Sequence, residues 1–573
     1  MVVVPKHREE DVAEPILANL LADDRTPWYK KPNLRYLYFI LFPACMGIEI
    51  TSGFDSQIIN TVQIVYTWNK CILMTRRANF YWRRLTSTDF GHPTGAVVNG
   101  KPKYEIEPNL KGFLGAAYSL GAILSLPFVP WVNQRFGRRW TIMFGSCVSL
   151  VGALLQGFAN GIVGMYVVAR IILGFGIPFC IVAGSSLLGE LGYPKERPIL
   201  TSLFNSSYFI GQIIAAAVGL GTVTIKTNWA WRIPSLLQIA PAMVQITFVF
   251  LLPESPRYLI SKDRHEEAFN ILTKYHAEGD RSSVIVRAEI AQIERTIKLE
   301  LEEAKQSWWD MFRTAGMRRR LFISAFLGLF TQWSGNTLIS YVPLLISWRD
   351  VLMMSRYYLS DLLEMVDITD SVVKSKINIG IACWGLVCGT TLALTVPRFK
   401  RRTMYLTCAC SLLCVYVAWT ISMERFMSTH AKAAAILTIF FIFCYSPAYN
   451  LGYNALTYTY LIEIFPYFGR SRGISWFQFY GRGASFFATY VNPVGLKNIG
   501  WKWLLVYCCW LVFEVGFIYL FFPETSGRTL EELSFMFEGK EKANEVAAAV
   551  HKQLDQDHDE KVQNVHVEET LRA

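Results

Sequence analysis

Charge is what this 573-residue chain has little of. Only 18% of it is Asp, Glu, Lys or Arg, against 52% hydrophobic residues and a positive mean hydropathy of +0.27. A soluble chain of this size carries more charge, so an ordinary soluble enzyme or binding module is excluded. C-x-x-C pairs are also missing. The 12 cysteines are scattered, many inside apolar runs, and read as reduced core residues. That excludes a disulfide framework and a metal site. No P-loop is present, which counts against an ATP-driven pump, and nothing implies covalent chemistry or a cofactor. The first thirty-odd residues are polar, with no cleavable signal, so the first apolar run is expected to direct insertion. The net charge of +11 does not indicate nucleic acid. The basic residues sit in short turns beside apolar runs, as the positive-inside bias requires.

What is present is a pattern of long apolar runs with basic turns. Asn133-Gln134-Arg135-Phe136-Gly137-Arg138-Arg139 lies between the runs Lys111–Val132 and Trp140–Ala159. Each run is long enough to cross a bilayer as a helix, for which about 20 apolar residues suffice. The turn is therefore a hairpin between two membrane helices, and its arginines put it on the cytoplasmic side. A related turn, Val396-Pro397-Arg398-Phe399-Lys400-Arg401-Arg402, recurs between two later runs. Such a repeat suggests a duplicated membrane protein of the transporter kind.

In order, residues 1–34 form a cytoplasmic tail and 35–252 a first six-helix bundle. Its first helix, Arg35–Ile64, contains Asp55, which must face a cavity or a partner because charge at membrane depth is costly. The fourth helix, Gly161–Leu188, carries Arg170; the fifth, Pro198–Val223, carries Asn205 and Gln212; Trp229 to Arg232 opens the sixth. Residues 253–320 are a charged linker, helical by its pattern over Glu289–Lys305. A second bundle over 321–522 holds helices from Leu321, then Ile377–Val396, Thr403–Met423, Ala433–Ile462, Ile474–Leu496 and Trp501–Phe522, and a cytoplasmic tail fills 523–573. The expected fold is all-α: twelve transmembrane helices in two six-helix bundles joined by a cytoplasmic helical linker.

Pro253–Arg257, Glu463–Gly473, Pro523–Glu532, Gln332–Asn336 and Trp231-Arg232 then occur in an order and spacing that resemble one family. The chain is similar to the sugar porters of the major facilitator superfamily, and within them to fungal lactose and hexose permeases. The resemblance runs from about residue 36 to 535. It implies a multi-pass, monomeric plasma-membrane carrier with both termini cytoplasmic, no cofactor and no nucleic-acid partner. Such a carrier moves a sugar, a hexose or a lactose- or cellobiose-type disaccharide, by alternating access.

The resemblance also implies roles for particular residues. Asn205, Gln212, Gln332, Asn336 and Tyr458 fall at or near family sugar positions. Amides and aromatic faces are what a hydroxyl-rich ring needs. Asp55 matches the acid of proton-coupled members, with Arg170 as its partner, so proton symport is expected. Arg138, Arg139, Glu190, Arg197, Glu254, Arg257, Arg401, Arg402, Glu463 and Arg470 match a cytoplasmic gate that holds the halves together.

The chain departs from the family in places. The acid expected before the first arginine of each basic turn is Gln134 in one and Pro397 in the other, and Lys400 replaces a glycine. A helix-eight asparagine falls on Gly385, and Asn205 stands for the glutamine of hexose carriers, which leans towards disaccharides. Cys71–Thr88 and Tyr341–Arg356 look inserted, and their codons permit intron boundaries, so at least one reads as a translated intron. The lost acids give some support to a non-transporting sugar sensor, and true insertions to a degraded paralogue. The short tail after Glu532 argues against the sensor.

Overall fold

A computed structural model describes residues 26–64, 97–98, 101–102, 108–159, 162–222, 224–225, 227–303, 311–336, 371–429 and 432–526. Cys71–Thr88 and Tyr341–Arg356 lie outside the described residues. The first run consists of α1 (Pro32–Leu41), a π-turn (Phe42–Met46) and α2 (Gly47–Ile64). Val97–Val98 pairs antiparallel with Lys101–Pro102. Next come α3 (Pro108–Ser125) with α4 (Val129–Phe136), α5 (Arg138–Gly157) and α6 (Val163–Leu191). The fifth run is α7 (Arg197–Ser206) with α8 (Tyr208–Thr222), and the sixth is α9 (Trp229–Leu237) with α10 (Ile239–Leu251). The linker forms α11 (Pro256–Ile260), α12 (His265–His276) and α13 (Val284–Glu303). The second half holds α14 (Ala315–Trp333), α15 (Ser371–Thr395), α16 (Arg401–Thr429), α17 (Lys432–Tyr449), a π-turn (Asn450–Asn454), α18 (Ala455–Ile464), α19 (Tyr467–Ile499) and α20 (Trp503–Phe521).

Among the described residues, 8 helices are long and apolar enough to cross a membrane, and α3 with α4 makes a ninth if the bent pair is one span. The remaining runs are interrupted or more polar. α14 opens on Arg318, Arg319 and Arg320, α19 carries Arg470, Arg472 and Arg482, and the tenth run is split by its π-turn. Large apolar side chains such as Phe39, Trp131, Trp140, Val512 and Leu520 are exposed, as the outside of a bundle in lipid should be.

Helix ends differ from the sequence reading in both directions, the twelfth being shorter, at Trp503–Phe521, than the expected Trp501–Phe522. Most runs extend further into the basic segments than expected. The seventh starts at Ala315 rather than Leu321, with the Thr314 hydroxyl capping the Met317 N–H. The ninth starts at Arg401 rather than Thr403. The second is not the single rod Lys111–Val132: it bends by 52° between α3 and α4, where Pro127 removes a backbone donor.

Small residues set the packing within the first half. A Cβ on Gly53 would collide with the Tyr208 carbonyl, and one on Gly211 with the Ile50 carbonyl. Gly121 meets Ile171 and Gly174 meets Tyr118 in the same way. The first run therefore touches the fifth, and the second the fourth, backbone against backbone, which is how helices associate in lipid. The halves face each other through α8 against α15, α3 against α19 and α7 against α18.

The linker is clasped to the first half. Glu278 accepts the Asn33 and Leu34 N–H groups at 3.0 and 3.1 Å, which supplies the acceptor that the start of α1 lacks. His276 reaches the Leu191 carbonyl at 3.2 Å and Glu289 at 2.8 Å, and Arg197 lies 3.6 Å from Glu289.

Candidate functional site

The basic turns build the same device twice. Arg138 begins α5, so its N–H and that of Arg139 have no partner within the helix. Both donate to Glu254, at 3.0 and 3.3 Å. In the second half the Arg401 and Arg402 N–H groups donate to Glu524, at 2.9 and 3.2 Å. Carboxylates at helix N-termini are favoured by both charge and unpaired donors. Arg139 then grips the Phe250 carbonyl at 2.9 Å, and Arg402 grips that of Tyr519.

The repeat continues in the side chains. Arg138 forks onto Glu190 at 3.0 and 3.2 Å, while Ser255 donates to Glu190 at 2.5 Å. Arg401 meets Glu463 at 3.2 Å, and Thr525 donates to Glu463 at 2.5 Å. An ion pair joins the two devices across the halves: Arg470 of α19 donates to Glu190 of α6 at 3.1 Å, with both side chains buried. Arg257 is buried beside Glu190. Arg197 reaches linker Glu289, 3.6 Å away.

The departure at Lys400 has a local reason. Gly137 has φ +89°, and a Cβ there would press on Glu254 and Tyr258, so the first turn needs glycine. The second turn is made by a 3₁₀ segment over Val396–Arg398, and Lys400 is not left-handed. Lys400 therefore costs the second device nothing in backbone strain.

Above the Glu190 bridge, α7 and α18 form a polar seam between the halves. The Thr201 and Thr459 hydroxyls are 2.7 Å apart, and Ser202 lies 3.1 Å from Thr459. Asn205 donates to the Asn454 carbonyl at 2.8 Å, and Asn454 donates to Ser206 at 3.3 Å. The Phe204 and Tyr458 rings meet edge-on at 5.2 Å. Of the expected sugar residues, Asn205 and Tyr458 are thus brought to one seam. Gln212 lies one turn along α8 beside the Tyr208 hydroxyl, which is itself 2.5 Å from Ser56. Gln332 and Asn336 sit apart, at the end of α14. Gln332 is half-buried, and its side chain makes no protein hydrogen bond among the described residues. Gly385 does not leave a hole: the Phe209 ring from the other half packs on it.

Asp55 and Arg170 meet, but not as the ion pair expected. Arg170 donates to the Asp55 backbone carbonyl at 3.4 Å, and its guanidinium lies 6.0 Å from the Tyr166 ring. The Asp55 carboxyl is fully buried, and neither of its oxygens has a hydrogen-bond partner among the described residues. Two guanidinium nitrogens of Arg170, Nε and one terminal nitrogen, likewise have no hydrogen-bond partner among the described residues, so the two side chains lie near each other without bonding.

Three further intramembrane charges were not singled out from the sequence: Glu49 on α2, Arg482 on α19 and Glu514 on α20. The rule that marks Asp55 marks these too, since each stands among apolar or small residues in a membrane run. Glu514 is fully buried and accepts from Tyr453 at 2.8 Å and from Ser334 at 3.0 and 3.1 Å. Gln478 joins Tyr458 to Arg482, donating to the tyrosine at 2.8 Å and accepting from the arginine at 3.3 Å.

Known proteins agree with this architecture. The family described as "Sugar (and other) transporter" matches residues 40–348 and 351–537, with the break falling inside Tyr341–Arg356. A high-affinity glucose transporter of Kluyveromyces lactis is 24% identical over 536 residues, covering 89% of this chain and 87% of that one. Sugar transport protein 1 of Arabidopsis thaliana is 27% identical over 448 residues, covering 76% and 80%. Among solved structures, the proton:xylose symporter XylE bound to 6-bromo-6-deoxy-D-glucose superposes with TM-score 0.69 at 19% identity, over 88% of this chain and 100% of that one. The chain is a multi-pass membrane protein that belongs to the sugar porter family of the major facilitator superfamily.

Proposed function

We propose that this protein is a plasma-membrane carrier, monomeric and with both termini cytoplasmic, that takes up a sugar together with a proton by alternating access. The sugar is a hexose or a disaccharide. One observation carries the reading: a charged bridge between the halves, Arg470 to Glu190, lies beside a seam of facing amides, hydroxyls and aromatic rings. A bond that crosses the halves can be made in one state and broken in the other. The amides and rings suit a substrate with many hydroxyls, each of which must be paired when buried. Asn205, Gln212, Gln332, Asn336 and Tyr458 are the proposed sugar contacts, and Asp55 the proton carrier. Two named relatives are a glucose transporter and a sugar transport protein, and XylE is a proton symporter, which supports the same reading.

The test is uptake of labelled glucose, lactose and cellobiose in a transporter-null yeast, with surface expression measured. Saturable uptake that rises with acidification is expected. Sugar binding by the purified protein without uptake in cells would replace the carrier with a sensor.

A further inference from the structure

Arg482 stands on α19, half-buried, in the part of the membrane where the two halves meet. The face of Tyr118, on α3 of the other half, lies 5.7 Å from its guanidinium. Its Nε donates to Gln478. Among the described residues no carboxylate lies within ion-pair distance, and its two terminal amino groups make no hydrogen bond. The buried arginines of the cytoplasmic gate differ: Arg138 and Arg470 pair with Glu190, and Arg401 with Glu463. Glu49, on α2, makes no ion pair with Arg482, and one buried Glu49 oxygen has no hydrogen-bond partner among the described residues.

Charge at this depth is expensive and is kept where it serves a function. A guanidinium presents a planar fork of donors that matches a carboxylate with two parallel bonds. Through Gln478 this fork is tied to Tyr458, whose ring abuts Phe204 next to Asn205. A carboxylate-binding group and hydroxyl-binding groups are therefore continuous across the seam. We propose that Arg482 contacts the substrate and takes a carboxylate, so that the preferred cargo is a sugar acid, a hydroxylated ring bearing one carboxylate such as a hexuronate. This rests on the sugar-carrier reading and narrows it. A neutral sugar meets the same amides and hydroxyls but leaves the fork unmatched, and sites built for a charged or hydrogen-bonding group reject analogues that lack it.

The experiment uses the full chain in transporter-null yeast, with labelled galacturonate and labelled glucose and with surface protein quantified. Arg482→Gln and Arg482→Lys are compared with the unaltered chain. Galacturonate is expected to be taken up at least about tenfold more efficiently than glucose, the scale of a charge-assisted bond. Arg482→Gln is expected to lower the galacturonate-to-glucose ratio by about tenfold or more, chiefly by raising the galacturonate KM. Arg482→Lys keeps the charge without the fork and is expected to fall between. If glucose is moved while galacturonate is neither moved nor competes, the proposal is overturned and the sugar-carrier reading stands. If purified protein binds neither and cells take up neither, both fall. If Arg482→Gln reduces both sugars in equal proportion, and Glu49→Gln does the same, Arg482 is an internal counter-ion to Glu49 and the proposal is overturned.

Discussion

The Tyr453 hydroxyl donates to the Glu514 carboxylate at 2.8 Å, and Ser334 donates to the same group. One acid on α20 thus holds two irregular points on other helices. Tyr453 lies in the π-turn that also carries Asn454, and Ser334 precedes left-handed Gly335 and Asn336 at the end of α14. Glu514→Ala would bury the Tyr453 hydroxyl without an acceptor, at about 1–3 kcal/mol, while Ser334 keeps the Phe330 carbonyl as its acceptor. Thermal unfolding in detergent is expected at a clearly lower temperature for Glu514→Ala, with a much smaller drop for Glu514→Gln, which keeps an acceptor. Equal melting of the alanine variant and the parent would mean that the acid does not hold these turns.

Glu190 has two buried arginine partners, one from each half, at 3.0 and 3.1 Å. Removing one member of a buried, paired set costs about 3–5 kcal/mol, because the remaining charge is stranded. Glu190→Ala and Arg470→Ala are each expected to depress both the melting temperature and uptake. Combined, they are expected to do less damage than the sum, since they break one interaction. A double-mutant cycle on melting temperature checks this; strict additivity would show that the bridge carries no coupling.

Glu289, on the linker and outside the membrane runs, is held below its ordinary carboxylate value. Burial alone would raise it, but His276 and then Arg197 more than reverse that. A depressed carboxylate contributes stability that is present above its unfolded value of 4.5 and is lost as pH falls through the lower folded value. Melting temperature should therefore drop on acidification below that range. Glu289→Gln should be less stable than the parent at neutral pH and converge with it in acid. A gap that stays constant across pH would assign the effect to packing.

Glycine at 335 is required twice over, by φ +95° and by the Tyr416 side chain, with which a Cβ would collide. Gly335→Ala is expected to abolish surface expression of the carrier, read by labelling intact cells. Normal expression and uptake would show that this turn relaxes freely.

How far the fold could be read from the residues depended on whether the signal was local. Apolar length and basic turns mark helices one by one, and the recurrence of Arg138-Arg139 as Arg401-Arg402 marks the duplication. The starts of the seventh and ninth helices are not legible because Arg401 and the arginines 318–320 have the look of loop residues, yet they lie inside α16 and α14. The site was harder for a different reason. That Arg170 turns to the Asp55 carbonyl, that Phe209 fills the space at Gly385, and that Glu514 meets Tyr453 and Ser334 are all contacts between separate runs. No spacing along the chain encodes them. Glu49, Arg482 and Glu514 are legible as costly charges, but they fall outside every motif that carries the family resemblance.

Asp55 offers the sharpest test of proton coupling. Its carboxyl is buried on the first run, with Arg170 near enough to bond its carbonyl but not its side chain. A carboxyl so placed is poised between two forms: neutral where it is shielded, charged where water or the guanidinium reaches it. Carrying that proton across is what would link sugar uptake to the gradient. Asp55→Asn keeps the shape and removes the proton site. It is expected to abolish acid-stimulated, concentrative uptake while exchange of labelled for unlabelled sugar across the membrane continues. Arg170→Leu, which removes the group favouring the charged form, is expected to impair concentrative uptake as well. Concentrative uptake by Asp55→Asn that still responds to acid would place the coupling proton on another group, and Glu49 and Glu514 are the buried carboxyls that would then have to be substituted in turn.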